Sequence, residues 1–103
     1  MNSVTVASGI LTNTTSVAIA LPSGSKSFYG SVIGTGALTL TLAIYGAIDN
    51  TGANGILLGT LTLSGTTRAQ DALPVILADY DYYYVVSTNI SGTGATGLVK
   101  AMY

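Results

Sequence analysis

Four aspartates, Asp49, Asp71, Asp79 and Asp81, are the only acidic side chains of the sequence, which holds no Glu, His, Cys or Trp. Paired carboxylates do hydrolytic chemistry when their surroundings drive their pKa values apart. The closest pair is Asp79-Tyr80-Asp81. Residues two apart on a strand point the same way and no His or Lys stands beside these two, so the segment reads as a solvated strand edge. The run Asp49-Asn50-Thr51-Gly52-Ala53-Asn54-Gly55 has the outline of a calcium loop, but Thr51 and Ala53 fall where ligands belong and no bidentate Glu follows. It reads instead as a long hairpin loop in which Asn54-Gly55 supplies residues tolerant of positive φ. Zinc, haem and thiol chemistry lack their His and Cys. The serines lack a base, and no glycine-rich loop ends in Lys followed by Ser or Thr to hold a phosphate. The sequence therefore predicts no enzyme, no cofactor and no metal site.

The aromatic residues carry more information. Tyr80, Tyr82, Tyr83 and Tyr84 crowd one segment, and Phe28-Tyr29, Tyr45 and Tyr103 join them. Tyrosine offers large rigid contact area at small entropic cost and is enriched in interface cores. Three consecutive tyrosines must populate both faces of a strand, so at least one ring is expected to leave the core. Tyr80, Tyr82, Tyr83, Tyr84, Tyr45, Phe28 and Tyr103 are accordingly the candidate interface residues. The alternatives are rings that cap the ends of the fold, or a sugar-binding platform beside Asp79 and Asp81.

Charge limits the possible partners. The chain has 103 residues, of which 7% are charged, and a formal net charge of -1. Soluble domains carry roughly a quarter of their residues as charges. The surface is thus expected to be clothed in Thr, Ser, Gly and Asn, covered by other chains, or both; a homo-oligomer is expected. Lys26, Arg68 and Lys100 lie far apart in sequence and are too few to neutralise a phosphate backbone, so no nucleic acid is expected as a partner. Met1 to Thr5 has neither a basic start nor an apolar run, so a cytoplasmic product is expected. No run reaches the roughly 18 apolar residues of a membrane helix, and the alternating segments are too short and uneven for a membrane barrel. The missing cysteines leave the redox compartment unread.

The elements that must position these residues repeat with period two. Residues 38 to 45 place Leu38, Leu40, Leu42 and Ile44 on one face and Thr39, Thr41, Ala43 and Tyr45 on the other. Ser16 to Leu21 offers Val17, Ile19 and Leu21, and Leu57 to Leu63 offers Leu57, Leu61 and Leu63. Further strands are predicted at 4–7, 27–33, 82–87 and 95–103, separated by Gly-, Ser- and Asn-rich turns. Arg68 to Ile76 is irregular, with room for a short helical turn or a long crossover, and its Pro74 argues against a central strand there. Gly34-Thr35-Gly36-Ala37 recurs as Gly92-Thr93-Gly94-Ala95, which reads as a simple hairpin connection used twice. The pattern predicts an all-β chain: residues 1–103 form a single antiparallel β-sandwich of seven or eight short strands, jelly-roll or immunoglobulin-like.

Ser8 to Ser16, the Leu21-Pro22-Ser23-Gly24 turn, Ile44-Tyr45-Gly46 with the Asp49-Asn50 loop, Leu58 to Thr67, and Ile90 to Ala95 together span most of the chain. In style and order they resemble the small β-sandwich structural proteins of tailed-bacteriophage virions. The resemblance implies a non-enzymatic particle component located in the virion and made in the host cytoplasm. It would be a capsid decoration or cement protein bound to the major capsid protein, or else a tail, neck or fibre module binding another virion protein or a host glycan. An assembly of many copies also fits the scarcity of charge. Residues 1–7 and 97–103, apolar and weakly charged, are expected to reach onto a neighbour.

Overall fold

The computed structural model describes residues 2–77 and 79–103; the first residue of the expected 1–7 arm lies outside them. The described residues contain seven strands and no helix: β1 (Ser3–Ile10), β2 (Thr14–Thr15), β3 (Ser25–Ala47), β4 (Ile56–Gly65), β5 (Arg68–Ala72), β6 (Ile76–Leu77) and β7 (Tyr82–Met102). All pairings are antiparallel.

Two of these strands are not short. β3 has 23 residues and β7 has 21, and they pair along nearly their whole length, from Ser27 opposite Met102 to Ala47 opposite Tyr82. At about 3.3 Å per residue a straight β3 would reach roughly 75 Å. The molecule's longest dimension is 38 Å, so the ribbon must double back. It does so at the repeated tetrapeptide: Thr35 pairs with Thr93, and the register slips between Ile33 and Thr35, between Thr35 and Thr39, and between Thr39 and Thr41. The slips cancel, so Val32 opposite Gly97 and Thr41 opposite Thr88 belong to one register on both arms. Gly-Thr-Gly-Ala is thus no hairpin connection. Each copy is the corner of one long strand, and the left-handed φ values of Gly36 (77°) and Gly92 (121°) suit a residue without a Cβ.

Folding the ribbon at these corners creates two layers. In the first layer β1, residues 95–102, residues 25–33 and β5 lie side by side; in the second, β2, residues 82–91, residues 38–47 and β4 do. Counting each arm of the long strands separately, and leaving aside the two-residue β6 that pairs with Ser25 and Lys26 beyond the end of β5, gives eight strand segments. In chain order the layers read first-eighth-third-sixth and second-seventh-fourth-fifth. That is the connectivity of a jelly roll, and it distinguishes between the two sandwiches the sequence permits. The layers touch closely. A Cβ placed on Gly30 would lie 2.6 Å from Leu42 Cδ1, and one on Gly97 would lie 2.7 Å from Leu40 Cδ2.

The core is built as the period of two dictates. Leu38, Leu40, Leu42 and Ile44 face Phe28, Val32, Val99 and Ala101 across the two layers, all with 1% exposure or less. Three patterns deviate. Val17 is 81% exposed, because the chain after β2 leaves the ladder: Ser16 Oγ accepts the Val85 N–H, Ile19 opposite Tyr83 is an isolated bridge, and the strand expected at 16–21 does not form. Leu57 is 53% exposed, because a bulge between Ile44–Gly59 and Tyr45–Leu57 inserts Leu58 and turns Leu57 away from the face that Leu61 and Leu63 share. The chain ends are not free arms. β1 pairs with 97–102, Asn2 and Tyr103 exchange backbone hydrogen bonds, and Val4 and Val6 pack on the core. Both expected arms are strands of the first layer, and removing residues 1–7 would strip core contacts. Pro74 follows the edge strand β5, as its missing N–H requires.

If the corners set the fold, they tolerate side chains unequally. Gly36→Ala, where a Cβ meets open space, should cost about 1 kcal/mol of unfolding free energy. Gly92→Ala should cost more, since its Cβ would also strike Leu38 and approach the Ala37 carbonyl. Urea midpoints of the two variants and the parent protein would measure this; equal midpoints would contradict the corner assignment.

Candidate functional site

The corners lie at one end of the sandwich, and the aromatic residues gather at the other. Tyr82, Tyr83 and Tyr84 alternate as expected, but not toward an exposed platform. Tyr83 points inward with 0% exposure, its ring tilted against Phe28 at 5.8 Å and edge-on to Tyr80 at 6.2 Å. Its hydroxyl accepts the Tyr80 N–H at 3.1 Å. Tyr84 points outward yet is buried. It stacks on its cross-strand partner Tyr45 at 5.1 Å with planes 7° apart, and its hydroxyl accepts the Gly55 N–H at 3.0 Å. The loop between β3 and β4 is thereby held over the second layer. Such ring pairs stabilise by about 0.5–1.5 kcal/mol beyond the area they bury.

Of the seven candidate interface residues, the fold therefore brings five together: Phe28, Tyr80 and Tyr83 inside, Tyr45 and Tyr84 outside. Phe28 and Tyr83 are fully enclosed, so no neighbouring chain reaches them in this fold. Tyr82 and Tyr103 stay half-buried and keep surface to offer. The rings close the open end of the sandwich.

One participant was not legible beforehand. Lys26 is 1% exposed, although nothing in its sequence context marks it as buried. Its Nζ donates to the Gly24 carbonyl at 2.7 Å and lies 5.4 Å from the centre of the Tyr83 ring, a cation–π placement. The acidic residues remain dispersed. Asp71, Asp79 and Asp81 are exposed, and among the described residues no three His, Cys, Asp or Glu side chains come together. Asp49 accepts hydrogen bonds from Thr51 Oγ1 at 2.6 Å and Thr51 N at 3.2 Å, which hold its carboxyl below the usual aspartate range; the hydroxyl is the larger influence. The loop is thus an Asx-type turn, with Asn54 at φ 60° completing it.

The surface outside this end divides sharply by charge. Lys100 and Arg68 sit on first-layer strands, whereas the four segments of the second layer contain no charged residue. Its outer face carries Thr62, Thr41 and Thr88 in one cross-strand row and Ser64, Thr39 and Ser91 in the next. Thr39 Oγ1 bonds to the Asn89 carbonyl and to Ser91 Oγ, both at 2.6 Å. Where β1 and β2 diverge, the sandwich opens sideways into a cleft of about 620 Å³ lined by Val6, Ile10, Leu11, Val17 and Val85. Ser87 bridges it at one side by donating to the Thr14 carbonyl and accepting the Thr14 N–H.

No protein-family model matches the chain, and no curated protein matches it.

Two measurements check the geometry of the open end. Tyr84→Phe keeps the stack but leaves Gly55 N–H without its acceptor, and should lower stability by about 1 kcal/mol in urea unfolding. Thr51→Ala removes the main influence on Asp49 and should raise its pKa toward the ordinary aspartate value in an NMR titration. Because the folded state favours the Asp49 carboxylate, its contribution is present at neutral pH and fades as pH falls through its folded pKa. An unmoved Asp49 titration would refute the turn.

Proposed function

We propose that this chain is a non-enzymatic structural subunit of a tailed-phage particle, a capsid decoration or cement protein that binds the assembled lattice of the major capsid protein. The observation that carries this reading is the second layer, a broad strand surface without a single charge. Removing water from Thr- and Ser-lined surface costs little where the hydroxyls find hydrogen-bond partners across the contact, whereas unpaired charges would oppose close contact far more strongly. The resemblance of Ser8 to Ser16, Leu58 to Thr67 and Ile90 to Ala95 to virion sandwich proteins points the same way.

The action would be mechanical. A subunit that binds the assembled lattice and not its free components lowers the lattice free energy by mass action, in proportion to the logarithm of its occupancy. With no charge on the contacting layer, attraction is short-range and binding should hardly depend on ionic strength. A glycan-binding tail or fibre role would need an exposed aromatic plane, but Tyr83 and Tyr84 are buried and the other tyrosines are half-buried, so none presents a fully exposed ring.

Copy number discriminates the roles. On a stained gel of purified particles, a decoration protein should approach the molar amount of the major capsid protein. A band tens of times weaker would contradict decoration and point to a tail or neck position.

A further inference from the structure

A jelly roll has four lateral edges, and three of them are blunted here. β1 is broken by two register shifts, between Thr5 and Ala7 and between Ala7 and Ile10. β2 is two residues long, and the chain beyond it swings away at Val17. β5 is five residues long, carries Arg68 and Asp71, and runs into Leu73-Pro74. Short length, bulges, charge and proline are the usual devices that keep a sheet edge from pairing with another chain.

β4 has none of the three strongest. It is 10 residues long, with no charge and no proline, and pairs with β3 on one side and, among the described residues, with no strand on the other. Its single irregularity lies at Leu58, so Gly59 to Gly65 forms a regular stretch. Within that stretch Leu61 and Leu63 are buried while Thr60, Thr62 and Ser64 are exposed.

We propose that β4 pairs antiparallel with β4 of a second copy of this chain, about a two-fold axis at Thr62. Thr62 is the midpoint of the regular stretch, and only a register of matching parity keeps the leucines on the inner side. About that axis Leu61 of one copy stands opposite Leu63 of the other, Thr60 opposite Ser64, and Gly59 opposite Gly65. Every cross-strand pair is then like with like, and the strand carries no charge to repel itself. The contact is isologous: it closes the exposed edge of both copies at once and leaves none to propagate a fibre. The two second layers become one continuous uncharged sheet.

This inference is independent of the proposed role in a particle, because its test uses the purified chain alone. The protein should sediment at twice its mass of 10.4 kDa. The chain has no cysteine, so Thr62→Cys introduces the sole thiol, at a position where opposed Cβ atoms lie about 4.5–5.5 Å apart. It should give a covalent dimer with a mild oxidant or a short bis-maleimide, whereas Thr5→Cys on the opposite edge should not. Thr62→Lys places two ammonium groups face to face and should weaken self-association by roughly ten-fold or more. Its circular dichroism should stay native, since Thr62 is exposed. A single-chain mass at high concentration, as expected if a foreign strand occupies β4, would overturn the proposal. So would a dimer that Thr62→Lys leaves intact or that Thr5→Cys links as well as Thr62→Cys.

Discussion

The paired ribbon of β3 and β7 is the constraint on which the rest of this molecule depends. Once two strands of more than twenty residues each bond to one another along their length, they must bend together, and the bend decides the layers, the core and the edges. The corners need glycine because both strands turn at the same level. Thr35 pairs with Thr93 there while the flanking register slips and recovers. Everything else hangs on the ribbon. β1 and β5 flank one arm and β2 and β4 the other, so the four edges belong to short or broken elements or, in β4, to a longer strand that pairs on one side with β3.

The same arrangement sorts the scarce charge. Lys26 is drawn inside beneath Tyr83, which leaves Arg68 and Lys100 as the surface cations, both on first-layer strands. The second layer is left to Thr, Ser, Leu and Tyr. A surface of this kind has little long-range field, does not steer partners from a distance, and interacts when shape and hydrogen bonding match at short range. Such a surface suits a subunit held among neighbours, which is the reading proposed for the chain.

How much of this was legible in the sequence differs from segment to segment. The all-β sandwich follows from the strict alternation at 38–44, and Leu38, Leu40, Leu42 and Ile44 lie where that alternation puts them. The loop at Asp49 to Gly55 follows from its turn residues, down to the positive φ of Asn54. Strand length did not follow. Gly-Thr-Gly-Ala has the same composition whether it ends a strand or bends one, and only the partner strand decides. Val17 and Leu57 were misplaced because the ladder is interrupted beside each of them, by the departure after Ser16 and by the Leu58 bulge, and a local interruption turns the adjacent side chain to the other face. The burial of Lys26 and the packing of Tyr84 could not be read for a related reason. Burial of a polar side chain depends on the partners that meet it across the two layers, here the Gly24 carbonyl and the Tyr83 ring for the lysine and the Gly55 N–H for Tyr84.

If the chain binds an assembled capsid surface, as proposed, it should co-sediment with that surface and not with the surface's free subunits. Purified protein would be mixed with phage heads lacking it, and separately with their unassembled capsid subunits, at low and high salt. The account predicts saturable pelleting with the heads, little change with salt, and no association with the free subunits. Protein that stays in the supernatant with intact heads at every salt concentration would contradict it.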